Sequence, residues 1–124
     1  MKHPEPKYYA PRRGAPTPWG NAQYREHFAD GLDFYGTATR RGFRISRLRE
    51  RELDAFLESS GVIGGAQTAR MGYAPGWYQE GGCADAVTAC FPEVEPDPFE
   101  RRLALMSLRL WLSHPKHRGY APAE

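Results

Sequence analysis

Two blocks that combine glycine with aromatic residues constrain the fold of this chain more than any other feature. Residues 34–46 read FYGTATRRGFRIS, and residues 72–92 read GYAPGWYQEGGCADAVTACFP. Each block joins turn-forming residues to aromatic residues of the kind that proteins often bury. We therefore expect a compact domain with tight turns and a specific surface. Neither block contains a known catalytic signature.

Length, composition and charge limit the class of protein. The chain has 124 residues, 40% of them hydrophobic, so a single domain can bury a core without disulfides or metals. The net charge of +2 excludes nucleic-acid binding through bulk charge alone. No segment approaches the ~20 apolar residues of a membrane helix, and the first residues do not resemble a signal peptide. Two cysteines in a chain without a signal peptide indicate a reducing compartment. We therefore predict a cytoplasmic protein that does not enter a membrane.

The pattern of apolar residues predicts an α+β fold. Residues 1–18 contain five prolines and are expected to form a flexible arm, with residues 19–124 as one domain. Alternation over residues 22–28, a turn at Asp30-Gly31 and a second reversal at Arg41-Gly42 predict a small antiparallel sheet of about three strands. We expect two or three helices to pack against this sheet.

The expected helices have recognisable ends. Ser46 can cap a first helix that stops at Ser60-Gly61. Glycine-rich residues 61–82 are expected to form a long loop or a short hairpin, and apolar spacing over residues 83–91 predicts a second helix. Asp97 and Pro98 begin a last helix, which is apolar over much of its circumference. We expect that helix to be the most buried element.

The two cysteines favour a structural role over chemistry. On one helix, Cys83 and Cys90 would lie ~10 Å apart, beyond the reach of a disulfide. A zinc site would require two further ligands, and the four histidines occur in no recognisable motif. We predict two buried thiols, no metal, no cofactor and no enzymatic activity. A thiol- or metal-dependent enzyme is the least favoured alternative.

Six arginines within twelve residues form the first candidate binding site. Such a cluster can contact phosphates or stack on bases, and it can equally contact an acidic protein surface. The alternative is a solvated face that neighbouring carboxylates neutralise. The residues are Arg40, Arg41, Arg44, Arg47, Arg49 and Arg51.

The second candidate site is the aromatic group Tyr73, Trp77 and Tyr78, which lies among glycines. Aromatic residues on such loops often anchor binding partners. They also fill a core beneath a loop, which is the use that we favour for Trp77.

Three short segments resemble an uncharacterised domain family of phage and bacterial mobile-element proteins. Residues 17–23 (TPWGNAQ) resemble W-G-x-A-Q, residues 36–46 (GTATRRGFRIS) resemble S-T-x-S-H-G-G with a following strand, and residues 76–80 (GWYQE) resemble W-Y-E-E-D-C. This chain has Thr39, Arg40, Arg41 and Gly42 where the second motif has Ser-His-Gly-Gly. The resemblance implies a mobile-element setting but no established activity.

These observations favour a small binding protein that acts stoichiometrically on a host protein or ribonucleoprotein complex. An anti-defence inhibitor of the anti-CRISPR kind is the most specific form of this hypothesis. The alternative is an accessory protein that binds nucleic acid through the arginine cluster, with an affinity that falls steeply with salt.

Overall fold

The computed structural model describes residues 15–114 and the backbone of residues 7–9. The strands are β1 (Lys7–Tyr9), β2 (Pro16–Thr17), β3 (Gly20–Asn21), β4 (Tyr24–Ala29), β5 (Leu32–Gly36), β6 (Arg41–Ile45) and β7 (Trp77–Gln79). The helices are α1 (Arg47–Ser59), α2 (Gly65–Arg70), α3 (Gly82–Cys90) and α4 (Pro98–Ser113). The architecture confirms the predicted α+β class.

The main sheet is larger than the three strands expected. Five antiparallel strands lie in the order β1-β4-β5-β6-β7, and β2 and β3 form a separate two-stranded ribbon. Strands β1 and β2 lie within residues 1–18, which the sequence predicts to be a flexible arm. The remainder of that segment, apart from residues 15–18, lies outside the described residues.

The central meander follows the sequence pattern except at its second reversal. Asp30 and Gly31 form the predicted β4–β5 turn, with Gly31 at a φ of 77°. The reversal expected at Arg41-Gly42 is wrong, because both residues belong to β6. The chain turns instead over residues 37–40, where the Thr37 hydroxyl donates to the Arg40 carbonyl and accepts from the Arg40 N–H. The hydroxyl supplies the local hydrogen bonds that fix this turn.

Helix α1 begins and ends where its caps predict. The Ser46 Oγ accepts from the Arg49 N–H at 3.2 Å, and Ser60 is the C-cap. Leu53 and Leu57, one turn apart, are completely buried. The helix therefore packs one apolar face on the core and exposes the other faces.

Residues 61–82 do not form the loop or hairpin expected from their glycines. They contain the short helix α2 and the edge strand β7, and β7 pairs with β6. Contacts with distant residues stabilise both elements: β7 pairs with β6, and the Asp54 carboxylate on α1 accepts from the Ala66 N–H on α2 at 2.9 Å. Tertiary contacts of this kind leave no periodic pattern in the sequence.

Helix α3 lies at the centre of the helical layer, in contact with the sheet on one side and with α4 on the other. The core contains residues of β5, β6, β7, α1 and α3, including the fully buried Leu32, Tyr78 and Val87. Helix α4 begins at the predicted cap Asp97, whose side chain accepts from the Phe99 N–H. It packs against α3.

No helix of residues 15–114 is long and apolar enough to cross a membrane.

Candidate binding surface

The outer side of α4 carries a row of exposed apolar side chains. Phe99 is 55% exposed, Leu103 41%, Met106 57% and Leu110 72%. Their spacing of four, three and four residues places them on one face of a helix, over a length of about 16 Å at 1.5 Å per residue. We call these four residues the α4 stripe. Contiguous exposed apolar surface of this kind marks interaction sites in soluble proteins.

The prediction that α4 is the most buried element is wrong. Only Ala104 and Leu108 of this helix are buried, with Leu105 and Leu112 packed partly against the core. A helix that is apolar nearly all round can bury only the face that meets its neighbour. Because α4 has α3 on one side and no described element on the other, its second apolar face remains exposed. The four-three-four spacing of the stripe is the sequence pattern that reveals this second face.

Arginines border one side of the α4 stripe. Arg102 and Arg109, seven residues apart, are both exposed, and the Arg102 guanidinium lies 5.8 Å from the centre of the Phe99 ring. Within residues 15–114, neither guanidinium forms an ion pair with a carboxylate. Arg101 differs, since it donates to the carbonyls of Glu95 and Pro96 at 2.8 and 2.9 Å. The border is therefore cationic.

A groove of about 910 Å³ adjoins the C-terminal half of the stripe, between the α3–α4 pair and the sheet. Phe34, Phe43 and Leu110 contribute to its apolar lining. The Trp111 ring packs directly against Gly82, where a Cβ would collide with it. The stripe and the groove share Leu110, so together they form one continuous surface.

Polar contacts order two parts of this groove. The Ser107 Oγ donates to the Asp85 carboxylate at 2.7 Å, while burial raises the pKa of Asp85. At the other end, Arg41 donates to both carboxylate oxygens of Glu80, at 2.9 and 2.6 Å. Bidentate pairs of this type fix side-chain geometry. The walls of the groove are thus defined before any partner binds.

The structure disperses the six arginines of residues 40–51. Side chains alternate between the two faces of the sheet along a strand. Arg41 and Arg44 are three positions apart on β6, so they point to opposite faces. Arg41 pairs with Glu80, and the Arg44 guanidinium lies 5.1 Å from the Trp77 ring centre. Arg49 pairs with Glu93 at 2.9 Å. Carboxylates thus hold two of the six.

The other three arginines of that cluster are exposed at two separate places. Arg40 lies in the β5–β6 turn, whereas Arg47 and Arg51 lie on α1 beside a second groove. That groove also contains the carboxylates Glu50 and Asp54. The six residues therefore do not share one surface.

The aromatic group is divided by the sheet. Trp77, which we expected to fill the core, lies on the outer face, with its ring centre 5.6 Å from that of Trp19 and 5.7 Å from that of Tyr35. Tyr73 also contacts Trp19 there, at 5.8 Å. Tyr78 is the residue that enters the core, and it is completely buried. Alternation along β7 sends adjacent side chains to opposite faces, which the sequence interpretation of this segment as a loop overlooked.

Glu50 connects the buried Tyr78 to the loop before β7. One oxygen, Oε2, accepts from the Tyr78 hydroxyl at 2.6 Å and from the Gly76 N–H at 2.9 Å. The Arg70 Nε lies 3.1 Å from the same oxygen. Burial, followed by the hydrogen bond to Glu50, raises the pKa of Tyr78 well above its ordinary value. No local pattern in the sequence pairs these distant residues.

Both cysteines are free; Cys83 is buried as predicted, whereas Cys90 is only partly buried, and the surroundings activate neither. Burial raises the pKa of Cys83 to about 11 and that of Cys90 to about 12. Since the thiolate is the reactive form, both side chains are protonated and weakly nucleophilic near neutral pH. In the part of the chain that the structure describes, no cluster of three His, Cys, Asp or Glu residues is arranged to hold a metal ion. Of the four histidines, His3 and His117 lie outside that part.

Comparison with known proteins gives one match. No curated protein and no solved structure matches the chain. One family model, described as a domain of unknown function (DUF7007), matches residues 12–118. This range covers most of the chain and confirms the expected relation to an uncharacterised domain family. The chain belongs to the DUF7007 family, a domain of unknown function.

Proposed function

We propose that this protein is a binding protein that acts stoichiometrically on a partner, and that the α4 stripe with its adjoining groove is the contact surface. The proposal depends on one observation, which is that four large apolar side chains on one face of α4 are exposed. Covering such a row removes apolar surface from water and drives association.

The free energy available from burying the stripe shows that the contact surface must extend beyond these four residues. Complete burial of a Leu, Met or Phe side chain contributes about 1.5–3 kcal/mol, and these side chains are about half exposed, so their burial contributes on the order of 4–6 kcal/mol. Association itself costs at least about 4 kcal/mol. The stripe alone therefore supports only weak binding, and the groove and the bordering charges must supply the remainder.

The state of the thiols favours binding over thiol chemistry. A cysteine nucleophile requires a lowered pKa and an accessible sulfur. Burial has the opposite effect on Cys83 and Cys90, raising the pKa of each. The structure therefore supports a role for these side chains in packing.

The resemblance of three segments to known proteins bears on the biological setting. The three segments that resemble phage and mobile-element proteins support a role in which the partner is a host complex. We propose a defence complex, such as a CRISPR effector, as that partner, with the protein acting as its inhibitor. Inhibition of this kind requires only that the stripe and the groove cover a surface of the partner, and it requires no catalysis.

Co-purification from a bacterial host with an active defence system tests this proposal. The tagged protein is expected to retain a defence complex and to reduce immunity against an infecting phage. A Leu103→Asp/Met106→Asp variant places two charges in the stripe and should lose both effects. Leu48→Asp/Ile63→Asp is the matched control, because it adds the same two charges at side chains that are 66% and 48% exposed and that belong to neither the stripe nor the groove.

Two outcomes would contradict the proposal. One is the absence of a stable complex together with unimpaired immunity in cells that express the protein. The other is a complex that persists unchanged in the Leu103→Asp/Met106→Asp variant. Retention of nucleic acid instead of protein, abolished by high salt, would favour the nucleic-acid alternative.

A further inference from the structure

We infer that the element that covers the α4 stripe is a helix of the partner protein, with its own apolar row and with acidic residues along the border that faces Arg102 and Arg109. This inference rests on the proposed function, and it specifies the chemistry of the partner. Two observations support it, namely the spacing of the stripe and the charge of its border.

The spacing favours a helix as the partner element. Phe99, Leu103, Met106 and Leu110 follow the alternating four- and three-residue spacing of a coiled-coil seam. In such a seam, each apolar side chain inserts between four side chains of a facing helix. The stripe covers nearly two heptads, and its exposed side chains have no described neighbour to insert between. A second helix packed along α4 supplies that complement.

The charged border specifies the sign of the facing residues. In the register of the stripe, Arg102 and Arg109 directly precede Leu103 and Leu110, which is the flanking position that forms ion pairs across a coiled coil. Both are exposed, and neither is paired with a carboxylate of residues 15–114. Glu100 is the only acidic residue of α4, and it lies on the other border. Asp or Glu on the partner therefore complements this border.

A second copy of this chain fits the border less well. In an antiparallel pair of α4 helices, equivalent borders lie on the same side, so Arg102 and Arg109 of the two copies face each other. In a parallel pair, Arg102 faces Ser107, and Arg109 faces His114. Neither arrangement places a carboxylate opposite an arginine, and like charges in register disfavour association. Charge complementarity thus favours a different, acidic helix.

Two synthetic peptides of the same length test this inference against the full-length protein. Both carry leucines at the alternating four- and three-residue spacing, and they differ only in having glutamate or lysine at every flanking position. Fluorescence anisotropy of the labelled peptides measures binding. We expect the glutamate peptide to bind at least about ten-fold more tightly than the lysine peptide, with an affinity that falls as salt rises.

Variants of the protein locate the contact. Arg102→Gln/Arg109→Gln should weaken the glutamate peptide about ten-fold, and Arg102→Glu/Arg109→Glu should reverse the preference between the peptides. Ala55→Glu/Gln67→Glu is the control, since it changes the net charge by the same two units as the Gln variant at exposed sites on α1 and α2. It should leave binding of the glutamate peptide nearly unchanged. Leu103→Asp should abolish binding of either peptide.

The inference is overturned if neither peptide binds, if both bind equally, or if the arginine variants leave the preference unchanged. It is also overturned if sedimentation shows that the protein alone is a dimer that Leu103→Asp dissociates, because the occupant is then a second copy. The peptides and the host complex report separately. If neither peptide binds but a host complex is still retained through the stripe, the partner element is not an acidic helix, and the proposed function is unaffected.

Discussion

Glu50 holds together three parts of the structure that are distant in sequence, and its replacement gives a quantitative test of the fold. Its Oε2 accepts from the buried Tyr78 hydroxyl and from the Gly76 N–H, and it lies 3.1 Å from the Arg70 Nε. Glu50→Ala removes the acceptor and leaves these groups in place. A buried donor that loses its partner costs about 1–3 kcal/mol.

The expected loss follows from the two hydrogen bonds. Tyr78 is completely buried and Gly76 is buried, so both donors depend on the Glu50 carboxylate for their hydrogen bond. We expect Glu50→Ala to lower the free energy of unfolding by about 3–5 kcal/mol. Tyr78→Phe removes one donor while Glu50 keeps its other contacts, so we expect a loss of about 1–2 kcal/mol. Because both changes delete the same hydrogen bond, the double variant should lose less than the two single losses combined, with a coupling of about 1–3 kcal/mol.

Urea unfolding followed by circular dichroism measures these differences. Glu58→Ala is the matched control, because Glu58 is an exposed carboxylate on the same helix and should change stability by less than about 0.5 kcal/mol. Glu50→Gln keeps one acceptor and serves if the alanine variant does not fold. A loss below about 0.5 kcal/mol for Glu50→Ala, or a coupling near zero with Tyr78→Phe, would show that the Glu50 carboxylate does not stabilise the fold through these hydrogen bonds.

Three further predictions concern the sheet, the tyrosine and the thiols. Gly42→Ala should destabilise the protein by about 1–3 kcal/mol in urea unfolding, because the added methyl collides with the Trp19 ring and the Tyr78 carbonyl. An unchanged stability would show that the sheet and Trp19 move apart to accommodate the methyl. The raised pKa of Tyr78 means that the folded state holds the phenol proton more tightly than the unfolded state. Stability should therefore fall as pH rises above about 10, the ordinary pKa, and the decline should be shallower in Tyr78→Phe; equal slopes would contradict this. In a Cys90→Ser variant, Cys83 should react slowly with Ellman's reagent at pH 8 and rapidly after unfolding in urea, whereas equal rates would contradict its burial.

Local chemistry determines the parts of the fold that the sequence predicts well. The Ser46 and Asp97 caps are side chains that bond to the adjacent backbone, so their positions can be inferred from a few neighbouring residues. The turn at Asp30-Gly31 is equally local. These elements need no distant partner to be recognised.

Distant contacts determine the parts that the sequence interpretation missed. Strand β7 forms because β6 pairs with it and Glu50 holds the preceding loop, and neither contact is visible in residues 61–82 alone. The division of Trp77 from Tyr78 follows from β7 being a strand. An error in one element therefore placed a predicted site residue on the wrong face.

The burial of α4 was mispredicted for a different reason. Apolar residues around a helix indicate that several of its faces are to be buried. They do not show whether each face is covered by the same chain or by a partner. Here α3 covers one face, around Ala104 and Leu108, and the α4 stripe remains exposed. The excess of apolar residues on α4 is the part of the sequence that points to a partner.

Site-specific photo-crosslinking in bacterial cells tests most directly whether the α4 stripe is the binding surface. A photoreactive phenylalanine analogue replaces Met106 in one variant and Leu48 in another, two side chains that are 57% and 66% exposed. We expect one discrete adduct with a host protein at Met106 and none at Leu48. No adduct at Met106, or the same adducts at both positions, would contradict it.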